Sequence, residues 1–194
     1  MRTLEEYLTK KLIALSGKAI DKEQYEIYLY GMYCVTSTVI PSSLILLTAL
    51  PEGHLFETLL WLVCFYKLRS LAGGFHAKTQ LRCLIESIIV GLSAHMLSPL
   101  CSRLPWWCCG IVFSGILLFS ILEAPVPHPN KILDPARRSR NKKILILLLC
   151  ILFPIAPALP DSFSGYLIHA VGATLILGIM GVARNHLRDL NHPN

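Results

Sequence analysis

The residues best able to do covalent chemistry lie close together, between Arg69 and Glu86. Cys83 follows Arg82 at a predicted helix start, and His76 stands seven residues before it. A cysteine attacks as its thiolate, which a helix N-terminus, a basic neighbour and a histidine all favour. The histidine would accept the thiol proton and later protonate the leaving amine. These residue types indicate an acyl-transfer site, with Cys83 as the nucleophile and His76 as its base and acid.

The spacing of the pair constrains how it can meet. On one continuous helix, positions seven apart share a face but lie about 10.5 Å apart along the axis. That distance is too long for a hydrogen bond, so the chain breaks between them or the pair meets through water or tertiary folding. Gly73-Gly74 and the polar run 77–80 supply the means to break a helix. We therefore predict that His76 lies on a loop or helix end that folds back toward Cys83.

Glu86 is the acidic group nearest to this pair, three residues beyond Cys83 on the same helix face. Placing an acidic side chain within a membrane segment costs free energy, so such a residue is a candidate for a functional role. It would orient His76, or neutralise Arg82 or Arg69, and we favour the ion pair. The seven cysteines include no C-x-x-C pair and form no zinc-like cluster with histidine, so we expect no metal and no cofactor.

The composition points to a membrane protein, since 54% of the residues are hydrophobic and 15% are charged. A soluble domain carries roughly 25% charged residues. Six apolar runs approach the roughly 20 residues that cross about 30 Å of hydrocarbon: residues 31–50, 55–71, 83–100, 106–122, 144–159 and 163–183. The second run spans only if Lys67 and Arg69 extend their charges to the interface. We predict an all-α polytopic membrane bundle of about six transmembrane spans.

This bundle is predicted to form a single domain, comprising residues 31–183 between an N-terminal region (1–30) and a cytoplasmic tail (184–194). The N-terminal region has no recognisable cleavable signal and is amphipathic. Thr3 and Glu6 have the spacing of a capping box, and a leucine stripe follows one face, at Leu4, Leu8, Leu12 and Leu15. Such a helix lies on the membrane surface, packs under the bundle, or is an ordinary soluble cap helix.

The basic residues predict the orientation, because they collect on the cytoplasmic side of membrane proteins. From the N-terminus, the successive connecting segments hold five, none, four, one, six, none and two of the eighteen lysines and arginines. Seventeen therefore fall on one side of a six-span bundle and one on the other. Both termini are predicted to be cytoplasmic, and the net charge of +6 is an orientation signal that gives no indication of nucleic acid.

Two further features concern polar and small residues inside the spans. His95 and His169 would serve a proton path in a transporter, although such histidines more often hydrogen-bond a neighbouring helix. Small residues in the last span, Gly172, Gly178 and Gly181 among them, favour close helix packing. We predict a homodimer on that basis.

The pattern Arg69-x-x-x-x-Gly74-x-His76-Ala77, with Cys83 seven residues beyond the histidine, resembles the accessory gene regulator B (AgrB) family. Members of that family are membrane peptidases of Gram-positive quorum-sensing systems. The resemblance covers essentially the whole chain, including the basic amphipathic start, and the Gly-x-His-Ala and cysteine core is its specific part.

The resemblance implies a thiol protease that cleaves an AgrD-like signal precursor near its C-terminal side, on the cytoplasmic face of the cell membrane. The N-terminal part would be held as a thioester on Cys83, with His76 as base and acid, until an internal Cys or Ser closes a thiolactone or lactone ring. Arg69 would bind the acidic end of the peptide, or would extend its charge to the membrane interface as one of the basic residues that orient the bundle. Gly74 would permit a backbone shape that no other residue could take. Many members carry paired lysines where this chain has Asn130-Lys131, so no substrate role is assigned to Lys131.

Two other classes of function fit the sequence. One is a small membrane transporter or exporter, which predicts internal repeats that the chain does not convincingly display. The other is a non-catalytic membrane scaffold, in which Cys83 is structural and inert.

Overall fold

The computed structural model describes residues 2–17, 20–73, 80–126 and 134–191. In these ranges the chain forms seven α-helices: α1 (Arg2–Ser16), α2 (Lys22–Ala49), α3 (Leu55–Ala72), α4 (Gln80–Ser102), α5 (Trp106–Leu122), α6 (Pro135–Ile155) and α7 (Asp161–Asn191). A short 3-10 turn, Ala156–Ala158, follows α6. The described part of the chain contains no strand, and its one isolated β-bridge joins Gly73 to Val126. The prediction of an all-α fold is confirmed for these residues.

Each predicted apolar run falls on one of the helices α2 to α7. Four segments are long and apolar enough to cross a membrane: Lys22–Ala49, Leu81–Ser102, Pro135–Ala158 and Asp161–Arg188. The apolar helix α5 is shorter, with 17 residues, and α3 contains Glu57, Lys67 and Arg69. The chain is thus a helical multi-pass membrane protein, and the count of six spans stays a prediction.

Several helices extend beyond their apolar runs, and at the start of α2 a side-chain cap sets the end. The side chain of Asp21 accepts a hydrogen bond from the Gln24 amide at 2.7 Å, so α2 begins at Lys22. Such an N-cap satisfies an amide that the helix itself leaves unpaired. The helix α7 continues to Asn191, so the predicted limits of the bundle fall inside α2 and α7.

The helix α7 packs against α3, α4 and α5 and forms the centre of the described bundle. Glycines allow two of these approaches. A Cβ atom on Gly165 would lie 2.2 Å from the Ser98 carbonyl oxygen of α4, and one on Gly178 would lie 2.6 Å from the Phe119 ring of α5. At these two positions the small residues of the last span serve contacts within the chain, and the homodimer stays a prediction.

The amphipathic helix α1 folds back along α2 and buries its polar face there. Glu5 and Thr9 are 0% exposed, and the Thr36 hydroxyl donates to Glu5 Oε1 at 3.3 Å. The leucine stripe points away from the bundle, with Leu15 80% exposed. An apolar stripe on the outside of a membrane protein is suited to contact with lipid.

Candidate functional site

Cys83 is the fourth residue of α4 and is partly exposed. The Ser87 hydroxyl, one turn further along, donates to the Cys83 carbonyl oxygen at 2.8 Å and also interacts with the thiol. The first four amides of a helix have no acceptor within it, so this end of α4 carries partial positive charge. The helix end itself contributes a field that favours a thiolate.

Arg69 lies in the last turn of α3 and brings a full positive charge to the same place. Its Nη1 donates to the Gly73 carbonyl oxygen at 3.1 Å, just past the end of the helix. Its guanidinium also interacts electrostatically with the Cys83 thiol and the Glu86 carboxylate. Three of the five residues singled out from the sequence therefore act on one another electrostatically, from the end of α3 and the first turns of α4.

Glu86 is half-buried and acts on both members of this group. Its charge opposes a thiolate on Cys83, whereas the charge of Arg69 favours one. Arg69 and Glu86 act on each other electrostatically, and the ion-pair interpretation of Glu86 stays a prediction. How far a thiolate is stabilised depends first on the burial of Cys83, which disfavours it, and then on the opposing effects of Glu86 and Arg69.

His76 and Gly74 belong to residues 74–79, outside the described residues. The proposed base and the motif glycine therefore stay predictions. The helix that carries Cys83 begins at Gln80, after the histidine in sequence.

A buried strap, residues 124–126, holds the end of α3. The Val126 amide donates to the Ala72 carbonyl oxygen at 2.9 Å, and Gly73 has a φ of 70°. A Cβ atom on Gly73 would lie 2.7 Å from the Val126 carbonyl oxygen, so a side chain would push the strap away. The sequence marked Gly73 only as a helix breaker, and no signal along the chain pairs it with Val126.

Tyr66 is a second residue at the site that the sequence did not single out. It lies three residues before Arg69 on α3, which places both on one helix face. Its hydroxyl is 3.1 Å from Ser42 Oγ of α2 and interacts electrostatically with the Cys83 thiol. The i, i+3 spacing to Arg69 was the available signal.

The two histidines within the spans each belong to a hydrogen-bonded group of their own. The Trp61 ring nitrogen donates to His169 Nδ1 at 2.9 Å, and His169 Nε2 lies 3.2 Å from Ser93 Oγ. His95 Nδ1 lies 2.8 Å from the Tyr166 hydroxyl. Both histidines thus bind neighbouring helices, as the structural interpretation expects. Among the described residues, no group of three or more His, Cys, Asp or Glu is placed to hold a metal ion.

Fold and site together define a helical multi-pass membrane protein with a cysteine, an arginine and a carboxylate gathered at one end of its bundle. A model of the accessory gene regulator B family matches residues 2–182, and the chain belongs to this AgrB family. It is similar to a putative AgrB-like protein of Clostridium perfringens (strain SM101 / Type A), with 26% identity over 171 residues, 82% of this chain and 79% of that protein. No solved structure matches the chain. The resemblance drawn from the sequence is confirmed.

The family is linked to autoinducer-peptide processing in the accessory gene regulator quorum-sensing system. The partner associated with the family is the AgrD propeptide.

Proposed function

We propose that this chain is a membrane cysteine endopeptidase that cleaves the C-terminal part from an AgrD-like precursor and supports closure of a thiolactone or lactone ring. The observation that carries the proposal is the meeting of Cys83 with Arg69 and Glu86 at the start of α4, in a chain of the AgrB family. A thiol placed at a helix N-terminus beside a cation has the surroundings of a reactive cysteine.

In the first step His76 accepts the proton of the Cys83 thiol, and the sulfur attacks the carbonyl carbon of the scissile bond. The carbon–nitrogen bond then breaks, and His76 returns the proton to the leaving amine. The N-terminal part of the precursor stays on Cys83 as a thioester. In the second step an internal thiol or hydroxyl of that peptide attacks the thioester, the ring closes, and Cys83 leaves as a thiolate that regains its proton.

Arg69 and Glu86 set the charge around this chemistry. The guanidinium opposes the effects of burial and of the Glu86 carboxylate on the thiol, and thereby favours a thiolate beside a cation. The bond from Arg69 to the Gly73 carbonyl also fixes the backbone at the entrance to residues 74–79, which include His76. Arg69 is thereby a positioning residue as well as a charge, in addition to any contact with the acidic end of the peptide.

We also propose that the bundle spans the cell membrane six times, with both termini in the cytoplasm. The strongest support is the distribution of basic residues, which favours one side by seventeen to one. Cys83 then lies at the cytoplasmic end of α4, where a newly made precursor can reach it.

The test is cleavage of the propeptide encoded by the neighbouring gene, co-expressed with the wild type, Cys83→Ala or His76→Ala. Both variants are expected to lose at least about a hundredfold in cleavage, as removal of a nucleophile or its base does. Cys101→Ala, at the far end of the same helix α4, is the matched control and should cleave normally.

The intermediate gives an independent readout. Denatured wild-type protein should carry the N-terminal peptide on Cys83 in a linkage that neutral hydroxylamine breaks. Full cleavage by Cys83→Ala would exclude the proposed nucleophile and would favour the scaffold or transporter interpretation.

A further inference from the structure

The end of α5 leaves a backbone carbonyl that its own helix cannot pair. The last four carbonyl oxygens of an α-helix have no amide donor within it. The Phe119 oxygen accepts from the amides of Glu123 and Ala124, at 2.9 and 3.2 Å. If the helix continued, the Ile121 oxygen would accept from the amide of residue 125, but Pro125 has no N–H. A donor from another part of the chain is therefore expected at Ile121.

Lys142 supplies this donor from α6. Its ammonium group donates to the Ile121 carbonyl oxygen across 21 residues of sequence. A cation at this place also meets the partial negative charge that the C-terminal end of a helix carries. Lys142 is thus a C-terminal cap of α5 that a different helix contributes.

The packing of α6 places Lys142 at the end of α5. Lys142 is partly buried and lies three residues before Leu145, so the two side chains share one face of the helix. Leu145 is 0% exposed and belongs to the same buried apolar cluster as Leu68 and Ala72 of α3. The helix α6 packs against both α3 and α5. The next residue, Lys143, is exposed.

Just beyond α5 the chain enters the strap 124–126, which contacts the end of α3. The Val126 amide donates to the Ala72 carbonyl oxygen at 2.9 Å. The next carbonyl oxygen along the chain, that of Gly73, accepts from Arg69 Nη1 at 3.1 Å. Hydrogen bonds joined by short stretches of backbone therefore lead from Lys142, through the end of α5 and the strap, to Arg69.

Building on the proposed endopeptidase function, we propose that Lys142 is a positioning residue for the Cys83 site. Its ammonium group holds the end of α5, so that the strap stays in contact with Ala72 and Gly73. Gly73 then keeps its carbonyl oxygen where Arg69 binds it. Lys142 acts through these contacts and takes no part in the bond changes of the reaction. A small misplacement of the groups around a reacting centre is enough to slow a reaction.

The first experiment measures the hold on the strap by amide hydrogen exchange at Val126 in the purified full chain. Lys142→Met keeps most of the side-chain length and removes both the donor and the charge. The Val126 amide should then exchange about tenfold faster, because a hydrogen bond to a charged group stabilises the closed state by roughly that factor. Lys143→Met removes the same charge from the adjacent exposed residue and should exchange at the wild-type rate. Lys142→Arg keeps a charged donor and should restore most of the protection.

The second experiment measures thioester formation with a synthetic precursor. Lys142→Met should be about fivefold slower at saturating precursor, with the half-saturating concentration unchanged within about threefold. Lys142→Arg should recover most of the rate, and Lys143→Met should keep it.

The route through Arg69 is tested by alkylation of Cys83 with iodoacetamide, measured on the Cys83 peptide. Lys142→Met should slow alkylation about threefold in the wild-type background and should have no further effect beside Arg69→Ala. Equal slowing in both backgrounds would overturn the route from Lys142 to the thiol through Arg69.

Two other results would overturn the positioning role. One is an unchanged Val126 exchange rate in Lys142→Met, whatever its activity. The other is faster exchange together with a wild-type rate of thioester formation, and in that case the proposed function stands. If Cys83→Ala still cleaves, the proposed function fails, and the positioning role fails with it. Should Lys142→Met not accumulate, Lys142→Gln, which is uncharged and one atom shorter than lysine, takes its place with the same expectations.

Discussion

Arg69 has two tasks at the scale of single residues, and one side chain performs both. Its guanidinium donates to the Gly73 carbonyl oxygen while its charge acts on Cys83 and Glu86. A guanidinium suits this arrangement because its several N–H groups point in fixed directions. Removing it would leave the Glu86 carboxylate without that opposing charge, beside the thiol that ionises in the proposed mechanism.

The first prediction concerns this balance of charge. Arg69→Ala should slow alkylation of Cys83 at neutral pH about tenfold, because an unbalanced carboxylate disfavours the thiolate. Adding Glu86→Gln to Arg69→Ala should recover most of the loss, since the second change removes the opposing charge. The measurement is the alkylation rate of the Cys83 peptide, arranged as a double-mutant cycle.

Arg103→Ala is the control, because Arg103 follows the opposite end of α4. Its alkylation rate should equal that of the wild type. A deficit in Arg69→Ala that Glu86→Gln leaves unchanged would show that Arg69 acts through the Gly73 contact alone.

The sequence identifies some site residues and misses others for a physical reason. Arg69, Cys83 and Glu86 stand out because charges and a thiol interrupt apolar runs. Tyr66 does not, since a tyrosine near the end of an apolar helix is ordinary. Its partner Ser42 lies 24 residues away on another helix. Only packing brings such residues together, and periodicity along one helix cannot reveal it.

At the scale of elements, the strap 124–126 follows α5 and contacts the end of α3. Gly73 permits this contact twice over, through its positive φ and through its missing side chain. The strap therefore supports the backbone to which Arg69 also binds. A displacement of the strap would therefore also displace Gly73, the residue that leads into residues 74–79.

The second prediction compares two glycines with almost the same φ. Gly53 has a φ of 73° and open space around it, whereas Gly73 has a φ of 70° and faces the Val126 carbonyl oxygen. Gly53→Ala should cost about 1–2 kcal/mol of stability through the left-handed conformation alone, with normal cleavage. Gly73→Ala should cost more and should also slow thioester formation by roughly tenfold, because a small misplacement of a catalytic segment is costly.

Thermal unfolding in detergent and the thioester assay measure the two effects separately. Equal losses of stability in both variants, with cleavage intact in each, would contradict the proposed role of the strap.

Helix existence was predictable from the apolar runs, but the packing of α1 was not. Its leucine stripe left a membrane-surface helix, a helix under the bundle and a soluble cap helix open, whereas Glu5 and Thr9 are the residues buried against α2. In a membrane the outer surface is apolar too, and lipid tails are as apolar as leucine. Hydrophobicity then no longer separates the inside from the outside, so polar contacts such as that between Thr36 and Glu5 identify the packed face.

At the scale of the whole molecule, the surface is consistent with a bilayer around the helices. Large apolar side chains remain exposed along several helices, for example Met96 (80%) and Trp106 (81%). The topology depends on α3, whose Glu57, Lys67 and Arg69 set it apart from the four long apolar helices. Its insertion decides on which side every later loop lies.

The third prediction follows from the distribution of the basic residues. With α3 inserted, a green fluorescent protein joined after Asn194 should fluoresce, since both termini would be cytoplasmic. Alkaline phosphatase, which is active only outside the cytoplasm, should be active when placed at Gly53 or at Leu104. These positions lie in the turns after α2 and after α4.

If α3 stayed on the membrane surface, the phosphatase at Leu104 would be inactive while the one at Gly53 stayed active. Cys83 would then lie at the outer end of α4, where a cytoplasmic precursor could not reach it, so the same pair of fusions also tests access to the proposed site.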